Sequence, residues 1–202
     1  MDLLETVNYA AIMHKNQKRK ADDSPYINHP IGVANFIAQI GKINDKEILQ
    51  GALLHDVVED TEGTLEEITE KFGEQVANYV KQVSDDKTLN KADRKIKQVE
   101  NAPHKSFGAK LIKLADKLHN CKDLQNIPPP SWDSKRIQGY MVWSKKVIDA
   151  IRGTNLNLED ELDKVFAGTF QYQGQQYDCI PKECCLDTFL QEYYDSMRTK
   201  KD

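Results

Sequence analysis

Four ionisable residues within six positions are the part of this chain most able to do chemistry: His55, Asp56, Glu59 and Asp60. They follow Ile48–Leu54, whose apolar residues cover nearly all sides of a helix and predict that it is buried. Buried carboxylates are normally paired or bound to metal, because an unpaired charge is costly to desolvate. If the helix continues to Asp60, His55 lies over Glu59 and Asp56 over Asp60. We expect His55 and Asp56 to bind a metal ion, and Glu59 and Asp60 to orient or deprotonate a water molecule. The alternative is a surface helix end with solvated acids.

Two residues elsewhere are candidates to complete a metal site. Pro30 suits the first position of a helix over 30–40, which would make His29 the N-cap. The sequence alone favours neither a ligand nor a structural role for His29. Asp116 borders the apolar stripe of a helix expected over 109–120 and has no obvious local partner. A metal ion shared with the histidines would supply that partner.

A shell of His29, His55, Asp56 and Asp116 would be half imidazole and half carboxylate. Open, oxygen-rich sites of this kind suit Mn²⁺, Fe²⁺ or Mg²⁺ better than a closed tetrahedral zinc site, and we expect Mn²⁺. The remaining positions would hold water and a phosphate oxygen of a substrate, so that the metal both activates the water and neutralises charge at phosphorus.

Basic residues in two segments are candidates to bind substrate phosphates. Arg19 and Lys20 lie near the start of a loop, and Lys91 and Arg94 lie on a helix expected over 91–102. Either group can be a solvated basic face or a wall that attracts a polyphosphate.

Helical periodicity dominates the chain and predicts an all-α fold with a small appendage. His14 lies on the apolar face of the first helix, where we expect it to pack in the core, with support of the metal site as the alternative. Residues 1–167 are expected to form one domain, and 168–202 an extension with a hairpin turning at Gln173–Gly174 and an amphipathic helix from Leu186. The helices are expected over 2–17, 30–40, 48–60, 65–72, 74–83, 91–102, 109–120, 134–151 and 156–166.

Composition limits the classes of function. The chain has 202 residues, 39% hydrophobic and 30% charged, with a net charge of −4 spread over both signs. No clustered positive surplus indicates nucleic-acid binding. We expect no membrane span and no signal peptide, and therefore a cytoplasmic protein with reduced cysteines. Three of the cysteines, Cys179, Cys184 and Cys185, lie close together without a spacing typical of zinc ligands. No pattern indicates an oligomeric state.

An ordered set of motifs resembles the hydrolase domain of the RelA/SpoT family, most nearly its small single-domain animal members. The resemblance covers about residues 3–167. Two parts of the chain depart from the pattern: the loop 21–24 lacks an expected glycine, and residues 168–202 have no recognised counterpart. The motifs are Arg19–Lys20, Tyr26–Ile31, Leu54–Thr61, Phe72–Gly73 and Lys113–Asn120.

The resemblance implies an all-helical HD-domain fold and a manganese-dependent 3′-pyrophosphohydrolase acting on guanosine 3′,5′-bis(diphosphate) (ppGpp) and its pentaphosphate relative. The implied roles are Glu59 and Asp60 as catalytic acids and Arg19, Lys20 and Asn120 as substrate contacts. For the metal, the implied ligands are His29, His55, Asp56 and Asp116.

Three other activities could use a site of this kind. Animal members of the family are also credited with removing the 2′-phosphate of NADPH, which the same metal and water could do. A phosphatase for ordinary nucleotides is disfavoured by the Arg19–Lys20 and Asn28–Pro30 motifs. A non-catalytic nucleotide sensor is disfavoured by Glu59 and Asp60, because a binder gains nothing from two acids beside its ligand's phosphates.

Overall fold

The computed structural model describes residues 2–182 and 185–199, which form helices and one two-stranded sheet. A short 3₁₀ helix, Ala102–His104, follows the helix Lys91–Asn101. In the part of the chain described, no helix is both long and apolar enough to cross a membrane. The helices are α1 (Leu3–Met13), α2 (Asn28–Gln39), α3 (Lys46–Leu54), α4 (Val57–Asp60), α5 (Leu65–Phe72), α6 (Glu74–Val83), α7 (Lys91–Asn101), α8 (Phe107–Asn126), α9 (Ser134–Asp149), α10 (Leu156–Ala167) and α11 (Leu186–Thr199), and the strands are β1 (Thr169–Tyr172) and β2 (Gln175–Asp178).

Helix α8 lies at the centre and contacts α2, α3, α6, α9 and α10. Its apolar residues Leu111, Leu114 and Leu118 are fully buried, and Ile112 on another side is fully buried as well. Because α8 is surrounded, its polar residues Lys113, Asp116 and Lys117 are also buried. The helix is longer at both ends than the expected 109–120.

The helix predicted over 48–60 is interrupted at His55 and Asp56, so the prediction of one continuous helix was wrong. Helix α3 ends at Leu54, two residues form a turn, and α4 begins at Val57. Asp56 has φ −100° and ψ −4°, away from regular helical values. The turn changes the direction in which Glu59 and Asp60 project relative to the residues before them.

The start of α2 also differs from the expectation. The helix begins at Asn28, with Ile27 as its N-cap, so His29 lies inside the first turn rather than at the cap. Hydrogen bonds from the Asn28 and His29 amides to Pro25 O and Tyr26 O extend the turn backwards. The capping box of Thr64 and Glu67 at the start of α5 is confirmed.

The C-terminal segment packs on the same core as the helices before it. Strands β1 and β2 pair antiparallel through Gln173 and Gly174, which both have positive φ, as a two-residue hairpin turn requires. Helix α11 lies against α7 and α9. Its Tyr193 and Tyr194 are buried in the large hydrophobic cluster that also contains Leu118. The hairpin and the terminal helix are therefore confirmed, while the division into domains at residue 168 stays a prediction.

Candidate active site

The four predicted metal ligands come together from α2, the turn after α3, and α8. Nε2 of His29 lies 3.4 Å from Asp116 Oδ1 and 3.6 Å from Asp56 Oδ2. Nε2 of His55 lies 3.0 Å from Asp56 Oδ2 and 3.9 Å from Asp116 Oδ1. Ligand atoms of His29, His55 and Asp116 all lie within 4.8 Å of one another. Segments separated by as many as 87 positions in sequence thus bring His29, His55 and Asp116 into one group, and Asp56 places an oxygen near both imidazoles.

The protonation of His55 suits a metal ligand. Its Nδ1 lies 2.7 Å from Ala52 O, so Nδ1 carries a proton and Nε2 is the nitrogen that faces the carboxylates. Nε2 is buried and has no hydrogen-bond partner among the described residues. Burial opposes a charge on His55, but Asp56 and Asp116 outweigh it and raise the pKa to about 9. A divalent cation at Nε2 would replace the proton that the carboxylates stabilise there, so the residues fit a metal ion.

Asp116 has local partners, contrary to the expectation from its position. Lys117 Nζ donates to Asp116 Oδ2 at 2.8 Å, and Asn120 Nδ2 donates to Oδ1 at 2.6 Å. Burial favours the neutral acid, but Lys117 and the hydrogen bond from His29 hold the pKa of Asp116 well below its usual range. One oxygen is thus held by Lys117, and the other faces the histidines.

Glu59 and Asp60 follow the proposed ligands in the chain, and their side chains have different partners. Glu59 Oε2 accepts from the Asp85 amide at 3.1 Å, and Oε1 is 4.0 Å from Arg94 Nη1. Asp60 Oδ1 lies 3.5 Å from Lys87 Nζ. Burial raises the pKa of both acids, with Asp85 adding to the shift for Glu59 and Asp56 for Asp60. A carboxylate with a raised pKa is a better proton acceptor.

A cavity of about 230 Å³, here called the Arg19 half of the cleft, opens beside Asp60. Arg19 Nη2 donates to Asp123 Oδ2 at 2.6 Å and to Asn120 Oδ1 at 3.1 Å. A carboxylate oxygen and an amide oxygen therefore hold the guanidinium at the cavity wall. Lys20 lines the same cavity.

A second cavity of about 260 Å³, the Arg94 half, lies beside Glu59. Lys91 and Arg94 line it, so both predicted basic groups border the candidate site. Trp132 and Tyr140 line both cavities, so the two lie side by side, and we call the pair one cleft. The cleft therefore has a candidate catalytic acid and a cluster of cations in each half.

Several residues at the site were not identified from the sequence as functional. Tyr26 donates from its hydroxyl to Asp56 Oδ2 at 2.6 Å. The ring of Tyr26 contacts the buried His14, for which support of the metal site was the alternative role, at 5.0 Å between centroids. His119 Nδ1 lies 3.1 Å from His29 Nδ1. Position in the motif could have identified His119, one residue before Asn120. Tyr140 carries no such signal, because only tertiary packing brings α9 to the cleft.

Residues 6–144 match the model of the HD domain family. The chain belongs to this family. The HD-domain match ends before α10, so the hairpin and α11 lie beyond it.

Relatives with assigned names are similar over most of the HD-domain chain. Guanosine-3′,5′-bis(diphosphate) 3′-pyrophosphohydrolase MESH1 of Danio rerio is 52% identical over 165 residues, which cover 81% of this chain and 92% of the relative. The protein of the same name from Homo sapiens is 50% identical with the same coverage.

A solved structure described as a metazoan ortholog of SpoT that hydrolyzes ppGpp is 48% identical. It superimposes with a TM-score of 0.79 over 81% of this chain and 92% of that chain. The resemblance to the RelA/SpoT hydrolases and the all-α HD-domain fold are confirmed.

Proposed function

We propose that this chain hydrolyses the 3′-diphosphate of guanosine 3′,5′-bis(diphosphate), with Mn²⁺ held by His29, His55, Asp56 and Asp116. The observation that carries the proposal is that these four residues lie close together near Glu59 and Asp60, each of which lines one half of the cleft with basic side chains. Relatives about half identical in sequence bear the name of this activity. The ability of His29, His55 and Asp116 to hold a metal ion is supported by their geometry alone.

The residues have distinct roles in the proposed reaction. A bound divalent metal lowers the pKa of water and offsets charge on phosphate oxygens. Glu59 and Asp60 orient the attacking water and accept its proton. The water oxygen forms a bond to the phosphorus attached to O3′, the bond from that phosphorus to O3′ breaks, and O3′ takes up a proton. The products are guanosine 5′-diphosphate and pyrophosphate.

The cations around the cleft are proposed to bind the substrate's phosphates. Arg19, Lys20 and Asn120 border one half, and Lys91 and Arg94 the other. Asp123 and Asn120 already hold the Arg19 side chain, so binding a phosphate costs it little further conformational entropy. We also propose a cytoplasmic location, as expected from the sequence.

The experiment measures pyrophosphate release from guanosine 3′,5′-bis(diphosphate) and phosphate release from NADPH, side by side. Chelation should abolish turnover, and Mn²⁺ should restore it better than Zn²⁺. Metal-free enzyme with full activity would end the metal proposal. NADPH turnover at higher kcat/KM than the bis(diphosphate) would instead assign the site to 2′-phosphate removal.

A further inference from the structure

Helix α11 is fixed at the edge of the cleft by contacts on two sides. Arg198 pairs with Asp93 of α7 at 3.2 Å, and Glu192 pairs with Lys135 of α9 at 2.7 Å. A methyl group at Gly139 of α9 would lie 2.3 Å from Cδ2 of Tyr193, so the two helices meet closely at this glycine. The position of the Tyr193 ring is therefore determined by α9.

Tyr193 also contributes to an aromatic cage around Lys95. Nζ of Lys95 lies 3.2 Å from the ring centroid of Trp143, 4.8 Å from that of Tyr140 and 5.6 Å from that of Tyr193. Aromatic faces attract an ammonium group and hold it in place. The three rings hold the end of Lys95, and this lysine also lines the Arg94 half of the cleft.

Two residues of α11, Tyr193 and Met197, line the Arg94 half together with the candidate catalytic acid Glu59. More basic than acidic side chains line this half. The basic residues are Lys91, Arg94, Lys95 and Arg136, and the acidic residues are Glu59 and Asp85. Burial and the neighbouring Lys117 lower the pKa of Lys95 well below its usual range. An anion placed beside Lys95 would favour its charged form again.

We propose that α11 forms a wall of the substrate site, with Tyr193 and Met197 as specificity-determining residues for a phosphate group remote from the one that is hydrolysed. The inference rests on the proposed function. Tyr193 acts by closing the cage that holds Lys95 at the wall beside this phosphate, and Met197 by limiting the width of the cavity. The terminal helix thus selects a nucleotide phosphorylated at a second position.

The test compares neighbouring tyrosines of α11. Tyr194 is buried like Tyr193 but is not among the described residues that line either half of the cleft. The variants are Tyr193→Ala, Tyr193→Phe and Met197→Ala, with Tyr194→Ala as the control for lost burial. Guanosine 5′-diphosphate, which cannot undergo the reaction, is titrated calorimetrically into each full-length variant, with guanosine as the ligand that lacks phosphate. Circular dichroism checks the fold.

We expect Tyr193→Ala to weaken guanosine 5′-diphosphate binding about tenfold, to leave guanosine binding unchanged, and to raise KM for the bis(diphosphate) with kcat within about threefold. Tyr193→Phe should bind like the natural protein, because its ring completes the cage. Met197→Ala should show a smaller loss and provides the test if Tyr193→Ala does not fold.

Equal affinity for the diphosphate in the natural protein, Tyr193→Ala and Met197→Ala would overturn the inference, as would an equal loss in Tyr194→Ala. No binding of guanosine 5′-diphosphate by the natural protein would also overturn it. Failure of the proposed function is separate, since it would appear as absent pyrophosphate release while the binding differences persist.

Discussion

Nδ1 of His119 lies 3.1 Å from Nδ1 of His29, so one imidazole fixes the orientation of the other. Metal binding through Nε2 of His29 requires its proton to be on Nδ1 and donated to His119. His119 can accept it, because burial and the neighbouring His29 lower the pKa of His119 to about 4 and keep it neutral. His119 is therefore a positioning residue for a candidate ligand.

Replacing this acceptor should weaken metal binding without removing a ligand. We expect His119→Phe to lower Mn²⁺ affinity on the order of 10- to 100-fold, the range found for partners of metal ligands. His119→Asn can still accept a hydrogen bond and should lose less. Calorimetric Mn²⁺ titration measures both, and an unchanged affinity in His119→Phe would refute the positioning role.

Mutation should distinguish the proposed metal ligands from the proposed catalytic acids. We expect His55→Ala to lose both the metal and turnover. Glu59→Gln and Asp60→Asn should keep Mn²⁺ and lose on the order of 10²-fold or more in kcat, as is typical for loss of a general base. Bound manganese and single-turnover rates are measured for each variant, with the exposed Glu62→Gln as control. Metal loss in Glu59→Gln or Asp60→Asn would place these acids among the ligands, and wild-type rates in both would exclude them as bases.

The pH profile should depend on Lys87. Burial and Asp56 raise the pKa of Asp60, whereas Lys87 at 3.5 Å lowers it. As the proposed base, Asp60 works only when deprotonated, so we expect activity to be lost as the pH falls through the pKa of Asp60. Removing the cation in Lys87→Met favours the protonated acid, and the acidic limb of kcat should move to higher pH. The exposed Lys81→Met on α6 should leave the limb in place; a shift to lower pH in Lys87→Met would show that Asp60 does not control it.

Arg19 should matter more than its neighbour Lys20. Asp123 and Asn120 hold the Arg19 guanidinium through two hydrogen bonds, and no shorter amine can reproduce that geometry. We expect Arg19→Ala to raise KM about tenfold at low salt, and Arg19→Lys to recover little of it. Steady-state kinetics at two salt concentrations measure the effect, with Lys20→Ala for comparison. Full recovery by Arg19→Lys would mean that only charge is needed.

The sequence predicted the parts of this protein that depend on local pattern. The capping box at Thr64 and the hairpin at Gln173–Gly174 follow from short-range chemistry. The break after Leu54 does not, because an apolar run followed by His55 and Asp56 is equally compatible with a continuous helix.

The candidate site could be predicted only in part for a related reason. Helical spacing indicated His55 and Asp56, and the lack of a local partner for Asp116 suggested a shared metal ion. The placement of His29 and Asp116 beside His55 is a tertiary property that no local pattern determines. Lys117 follows Asp116 in sequence and was overlooked, since only a helix buried on all sides turns such a neighbour inward. The role of α11 in the cleft required the packing of two distant helices.

The ion pair of Lys117 with Asp116 has a consequence for how the protein acquires its metal. In small metal-dependent domains the chain is unfolded until the ion arrives, because nothing else neutralises the buried ligands. Here a buried lysine of the central helix already offsets one of the carboxylates. The chain can therefore complete its core first and load the ion into a finished site, so that metal supply governs the active fraction of the protein rather than the amount that folds.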